Sequence, residues 1–324
     1  MKLSIEKRTV FIYDGYIFFY FGVKSMQGKL SAFLILFAAV LWGTTGTVQA
    51  FAPENAHPIA IGTIRLAVGG LFLLSLVLLF GKLELKNWPI KATVLAALSM
   101  ALYQPLFFTA VTVTGVAIGT VVAIGSAPIL SGLLEWIFFK ARPSKIWWVS
   151  TFLSISGCIL LFTNRESTYV DPVGVVMALG AGLTFASYTL ASRDMVQKFS
   201  SLNVVAIIFT ISAIFLAPFL FIFDMSWVAS LQGIGVSIQL GVVATGIAYF
   251  LFAKGLANVS SSTAVTLALA EPLTAALLGV FLLGESLNTT AWLGIFLLIM
   301  GIAILIGSSR AANRKNKTAV RATL

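Results

Sequence analysis

The chain is short of the residues from which most soluble and catalytic sites are built. It has one cysteine, Cys158, and one histidine, His57, among 324 residues. A single thiol cannot form an intrachain disulfide or a cysteine-based metal cluster. A single loop histidine beside Pro58 cannot make a metal site, and a surface role is its default. Charged residues are only 10% of the chain. No GxxxxGK[ST] phosphate loop occurs, so nothing indicates ATP drive, and neither HExxH nor GxSxG is present. No histidine lies in any apolar run, which leaves a membrane-embedded hydrolase without its usual base. Neither a carbonyl filter nor a charged ring marks a channel. A channel or facilitator for small solutes, and more remotely a membrane enzyme, stand as the alternatives to a carrier. No cofactor is expected.

What is present is apolar surface: 59% hydrophobic residues and 27 glycines, with mean hydropathy +1.01. No single soluble core of this length could hide that much, whereas runs of about 20 residues match a bilayer. Small residues also let membrane helices approach closely. Ten segments can be drawn, at about 30–50, 59–80, 92–110, 115–139, 146–163, 173–192, 203–223, 233–253, 262–283 and 289–307. The 110–115 turn is the tightest. The expected fold is an all-α polytopic membrane protein of ten transmembrane helices.

The basic residues test that count. Lys2, Lys7, Arg8, Lys24 and Lys29 precede span 1, and Lys82, Lys86 and Lys91 lie between spans 2 and 3. Lys140, Arg142 and Lys145 lie between spans 4 and 5; Arg193 and Lys198 follow span 6; Lys254 follows span 8; five more lie beyond 307. Only Arg165, in an opposite loop, and Arg65, inside span 2, depart from one face. The positive-inside rule then places both termini in the cytoplasm. This distribution accounts for the +10 net charge and argues against nucleic acid as a partner; the expected surroundings are the lipid bilayer. Residues 1–28 form an aromatic, basic extension. It is too short and too interrupted by Asp14 to span, and it lacks a signal-peptide cleavage pattern. An interfacial helix is one reading; the other is that Met26 is the native start.

The chain also repeats itself. Residues 127–162, APILSGLLEWIFFKARPSKIWWVSTFLSISGCILLF, align without a gap on 271–306, EPLTAALLGVFLLGESLNTTAWLGIFLLIMGIAILI, at an offset of 144. Pro128 meets Pro272, Trp148 meets Trp292, and Gly157 meets Gly301. At an offset of 143, span 1 lies on span 6, with Trp42 over Phe185. The boundaries are a first repeat at 29–163, a second at 172–307, and a basic tail at 308–324. Five spans per repeat is an odd number, so the second copy enters the membrane inverted. Inverted repeats are an architecture of secondary transporters, with substrate held near the midplane between the halves.

Certain stretches, taken in order, resemble a known family: LWGTTG in span 1, HPIAIGTIRLAVGG opening span 2, APILSGLLEWIFFKARPS in span 4, then AEPLTAALLGVFLLGESL and WLGIFLLIMGIAIL. From about residue 30 to 307 the chain resembles the drug/metabolite transporter superfamily, specifically ten-helix EamA-type members with two EamA repeats. The resemblance implies export of a small polar metabolite, such as an amino acid or related compound, across the cytoplasmic membrane of a prokaryote. That family usually ends spans 4 and 9 with an acidic and polar pair. Gly284-Glu285-Ser286 keeps it, whereas Lys140-Ala141-Arg142-Pro143 has alanine where the acid normally lies.

Glu271 is the sharpest site candidate. It lies about 13 Å along span 9 at 1.5 Å per residue, where a carboxylate costs about 2.5–3.5 kcal/mol on insertion scales. It could bind a substrate ammonium or carry a coupling proton; a structural ion pair or a hydrogen-bonded neutral carboxyl is the other reading. Pro272 and Pro128 each remove a backbone donor and could open a hinge or cavity, or simply kink their helices; Pro105 does the same in span 3. Arg65 is within vertical reach of Glu271, and could pair with it, bind a substrate anion, or snorkel. Glu135, one turn from the cytoplasmic end of span 4, reads as structural or gating, with Lys140, Arg142 or water as partners. Lys254 reads as topological. Trp42, Gln49, Tyr103, Gln104, Tyr188, Gln239 and Tyr249 could line a pocket for a zwitterion or an aromatic body; each is individually as compatible with an interhelical hydrogen bond or interfacial anchor.

Overall fold

The computed structural model describes residues 14–81, 83–162, 171–284 and 286–322. Every regular element among them is helical. Ten helices are long and apolar enough to cross a membrane: Lys29–Gln49, Pro58–Phe80, Ile90–Thr114, Ile118–Phe139, Lys145–Phe162, Pro172–Val196, Ser201–Ile222, Leu231–Leu256, Ser261–Leu282 and Thr289–Gly307. These are spans 1 to 10, and they lie where the apolar runs place them. Span 3 runs to Thr114 rather than stopping near 110. Gly115 then turns the chain at φ +86°, and the next helix starts at Val116. Glycine adopts positive φ without a steric penalty, so one residue makes the reversal. The helix of span 1 begins at Asp14, so residues 14–28 continue it rather than forming a separate segment. Residues 1–13, Arg165 and Glu285 lie outside the described residues.

The packing obeys a two-fold rule. Span 3 packs on span 6 as span 8 packs on span 1. Span 4 lies on span 6 as span 9 lies on span 1, and span 3 meets span 7 as span 8 meets span 2. Spans 5 and 10 pair with each other, and so do spans 2 and 7. Renumbering every span by five leaves these contacts unchanged, and the two repeats fit the inverted arrangement. The rule holds at atomic detail. A Cβ on Gly157 would stand 2.5 Å from the Gly294 carbonyl oxygen, and one on Gly301 would stand 2.7 Å from that of Ser150. These two contacts interchange at the offset of 144. The helices of spans 4 and 9 also end alike, in left-handed residues 144 apart: Lys140 at φ +55° and Gly284 at φ +70°.

Two spans depart from regular helix. Span 9 consists of Ser261–Leu267 and Ala270–Leu283 with a break between. Pro272 has no N–H to offer the Ala268 carbonyl, four residues back. The Glu271 amide takes that oxygen instead at 2.9 Å, and the Leu269 amide takes the Thr266 oxygen at 3.2 Å. Both bonds span three residues, so the chain tightens before the second helix starts. Span 4 carries Pro128 within a continuous helix, Val116–Phe139, so the expected symmetric opening at the two prolines is not symmetric. Span 8 widens into π-helix over Gln239–Ile247, a geometry that recurs near functional sites. The core between the halves is aromatic and small, with Trp42, Tyr188, Phe209, Tyr249 and Phe252 buried. Phe138, Phe152, Phe221 and Phe296 lie on the outside, where lipid solvates them.

Candidate functional site

A cavity of about 580 Å³ opens toward the face opposite the termini. Its mouth is formed by Thr47, Gln49 and Pro53 around the end of span 1, Thr112 of span 3, Thr120 of span 4 and Gly279 of span 9. Its depth reaches Trp42, Arg65, Tyr103 and Glu271. Below them a narrow recess of about 40 Å³ continues between Ala123, Ala127, Phe185, Tyr249, Val265 and Ala268. The volume suits a small organic solute.

Glu271 enters this space from the first turn of the second helix of span 9. The break places the carboxylate at a helix N-terminus, where unpaired amides and the helix dipole favour negative charge. Gly43 makes the approach of span 1 possible: a Cβ there would stand 2.6 Å from Thr274 Cβ and 2.8 Å from the Glu271 carbonyl oxygen. Arg65 enters from span 2 and is 7% exposed. Its Nε donates to Thr245 Oγ1 at 3.2 Å, and Thr245 Oγ1 donates to the Leu240 carbonyl at 2.8 Å, five residues back in the π-helix. The wide turn therefore holds the arginine from behind. Of the readings open for Arg65, a direct pair with Glu271 is not seen among the described residues. The two opposite charges line one cavity, and among the described residues Arg65 donates to protein only through Nε.

Aromatic rings wall the floor. Trp42 lies 4.7 Å from Tyr249 and 6.0 Å from Phe185, centroid to centroid, and Tyr103 lies 5.5 Å from Phe107, nearly parallel. Trp42 Nε1 has no hydrogen-bond partner among the described residues, so the indole offers a donor at the floor. Other candidates fall elsewhere. Tyr188 is buried among Phe185, Phe209 and Tyr249, one layer behind the lining. Gln239 Nε2 donates to Thr44 Oγ1 at 3.2 Å and ties span 8 to span 1. Gln104 is buried between spans 2 and 3, close to Gly62, with both amide atoms unpartnered among the described residues. None of the three is among the lining residues, nor are Pro105 and Pro128, whereas Pro272 is.

Glu135 does not use the partners its neighbourhood in sequence suggests. It accepts from Arg193 Nη1 at 3.2 Å and from the amide and hydroxyl of Ser262 at 3.2 and 2.7 Å. Arg142 instead sits over Trp136, 5.4 Å from the ring centroid. Lys254 lies over Phe250 at 5.8 Å. His57 caps span 2, its Nδ1 accepting from the Ile59 amide at 3.2 Å, and stacks on Phe223. Sequence reasoning missed Arg193, Thr245, Phe107 and Phe185. The first read as a topological charge, and the others carry no signal in an apolar or hydroxyl-bearing run.

Comparison with known proteins agrees with this architecture. The EamA-like transporter family matches residues 29–163 and again 172–307. The uncharacterized transporter YwfM of Bacillus subtilis strain 168 is 51% identical over 91% of this chain and 98% of its own length. The uncharacterized inner membrane transporter YicL of Salmonella typhimurium strain LT2 is 25% identical, over 86% of this chain and 96% of its own. A solved crystal structure shares the fold with a TM-score of 0.75 at 21% identity, covering 87% of this chain and 98% of that one.

Proposed function

The chain belongs to the EamA-like transporter family, and from that premise we propose that it is a secondary carrier exporting a small zwitterionic or cationic metabolite, such as an amino acid or amine, by alternating access. The observation that carries the reading is one cavity that presents Glu271 and Arg65 together, walled by Trp42, Tyr103 and Tyr249, with its mouth residues at the face opposite the termini. A solute ammonium is drawn to the Glu271 carboxylate and a solute carboxylate to the Nη groups of Arg65. The aromatic faces suit a cation or an apolar side chain. The basic loops and the bacterial relatives support a cytoplasmic membrane location with both termini inside, so the cavity is open to the outside.

Proton coupling belongs to the same proposal. Glu271 is the half-buried carboxyl of the cavity, and a proton bound there would exchange with the solute ammonium for one site. Counterflow in proteoliposomes with labelled amino acids and amines tests the carrier: saturable, trans-accelerated exchange is expected. Flux without trans-acceleration would identify a channel. Glu271→Gln is expected to flatten the pH dependence of transport in a well-folded protein; an unchanged pH profile would remove the proton role.

A further inference from the structure

On the terminus side of the recess, among the described residues, a charge pair ties three spans together. Glu135, 4% exposed, accepts from Arg193 and from both donors of Ser262. Arg193 Nε in turn donates to the Val259 carbonyl at 2.7 Å. Spans 4, 6 and 9 are thereby tied together at their terminus-side ends. The same three spans bound the recess below the cavity, through Ala123 and Ala127, Phe185, and Val265 and Ala268. Ala127, Ser131 and Glu135 follow at intervals of four and share one face of span 4. That stripe runs from the recess to the charge pair. Ser131 and Ser261 are fully buried in this region, and their Oγ atoms have no hydrogen-bond partner among the described residues. Buried hydroxyls are almost always partnered, and water entering between these spans would supply what they lack.

The two-fold rule shows what the opposite face has instead. At the offset of 144, Glu135 maps to Gly279 and Ser262 to Ile118; at 143, Arg193 maps to Ala50. None of these carries a charge, and Gly279 lines the open mouth. We propose that Glu135, Arg193 and Ser262 form a latch without a symmetric counterpart, which sets the resting state open to the face opposite the termini. The seam between spans 4, 6 and 9 that it closes is the second half of the solute's route. This rests on the alternating-access reading, but its test reads shape rather than flux, so failure of the latch and failure of the carrier are distinguishable.

The test uses full-length protein with Cys158→Ser, purified in nanodiscs so that both faces are reachable. Ser131→Cys reports on the seam and Thr112→Cys on the mouth, each by its maleimide labelling rate. The latch is broken in two ways: Glu135→Gln, which keeps an acceptor for Ser262 and removes only the charge, and Arg193→Gln. Losing a largely buried charge pair should raise seam labelling roughly tenfold and lower mouth labelling. Parental rates at both reporters in either variant that elutes as a monodisperse peak overturn the proposal. So does faster seam labelling without slower mouth labelling, which would mean local fraying rather than a coupled change of state.

Discussion

Arg65 reaches the cavity with one donor already committed. Its Nε is held by Thr245, whose hydroxyl is itself anchored in the π-helix. Thr245→Val keeps the side-chain shape and removes the acceptor. A hydrogen bond to a charged group contributes about 1.5–3 kcal/mol, so the half-saturating concentration of a carboxylate-bearing solute should rise about tenfold or more. A simple amine lacking the carboxylate should be much less affected, and equal losses for both solutes would show that Thr245 only supports the fold. Asp224, in the loop beyond span 7, offers a second test at this scale. The backbone amide of Ser226 and then its hydroxyl donate to the Asp224 carboxylate and hold its pKa below the ordinary aspartate value. A depressed carboxylate contributes stability above its unfolded pKa and loses it as pH falls through the folded one. Hydrogen exchange at the Ser226 amide, followed by mass spectrometry and corrected for intrinsic rates, should therefore lose protection only below the usual aspartate range. Charges inside apolar runs were legible because lipid makes each one costly, which is how Arg65, Glu271 and Glu135 were found. Arg193 was not, because at a helix end a functional charge and a topological one look alike in sequence.

Helices are where sequence patterns explained most and one inference failed. The apolar runs and basic loops placed all ten spans, because bilayer thickness fixes helix length. Pro128 and Pro272 read as equivalent, yet only the second sits by a break. A proline removes the same donor in either helix; the outcome depends on whether neighbouring amides can rebond the freed carbonyl, as the Glu271 amide does for Ala268. Packing, not composition, decides that. The spans 5 and 10 contact gives a direct test. Gly157→Val would drive a side chain into the backbone of span 10 at Gly294, where overpacking costs about 1–3 kcal/mol. A clear fall in melting temperature is expected in a scanning-fluorimetry series. At the end of span 4, Lys140 occupies a left-handed conformation that its counterpart Gly284 takes freely. Lys140→Gly should raise the melting temperature slightly, the relief of about 1–2 kcal/mol of strain being partly offset by glycine's greater freedom in the unfolded chain.

At the scale of the molecule, the repeat was legible because duplication leaves residues in register, while the cavity was legible only in part. Its charged residues were named, but which aromatic side chains face it, and which lie one layer behind as Tyr188 does, depends on helix rotation. The larger helix contacts run between the repeats: span 3 with span 6, span 5 with span 10, span 4 with span 6, and span 2 with span 7. Several of these contacts close on glycines and hydroxyls, as at Gly157 with Gly294, Gly301 with Ser154 and Gly182 with Ser126, where small side chains let the halves approach closely. A chain severed between residues 163 and 171 should consequently behave as two interdependent fragments. Expressed together they are expected to copurify and show the same counterflow as the intact protein, and expressed singly each is expected to be degraded. The covalent link would then serve chiefly to guarantee equal supply and opposite insertion of two pieces whose mutual fit already specifies the assembly.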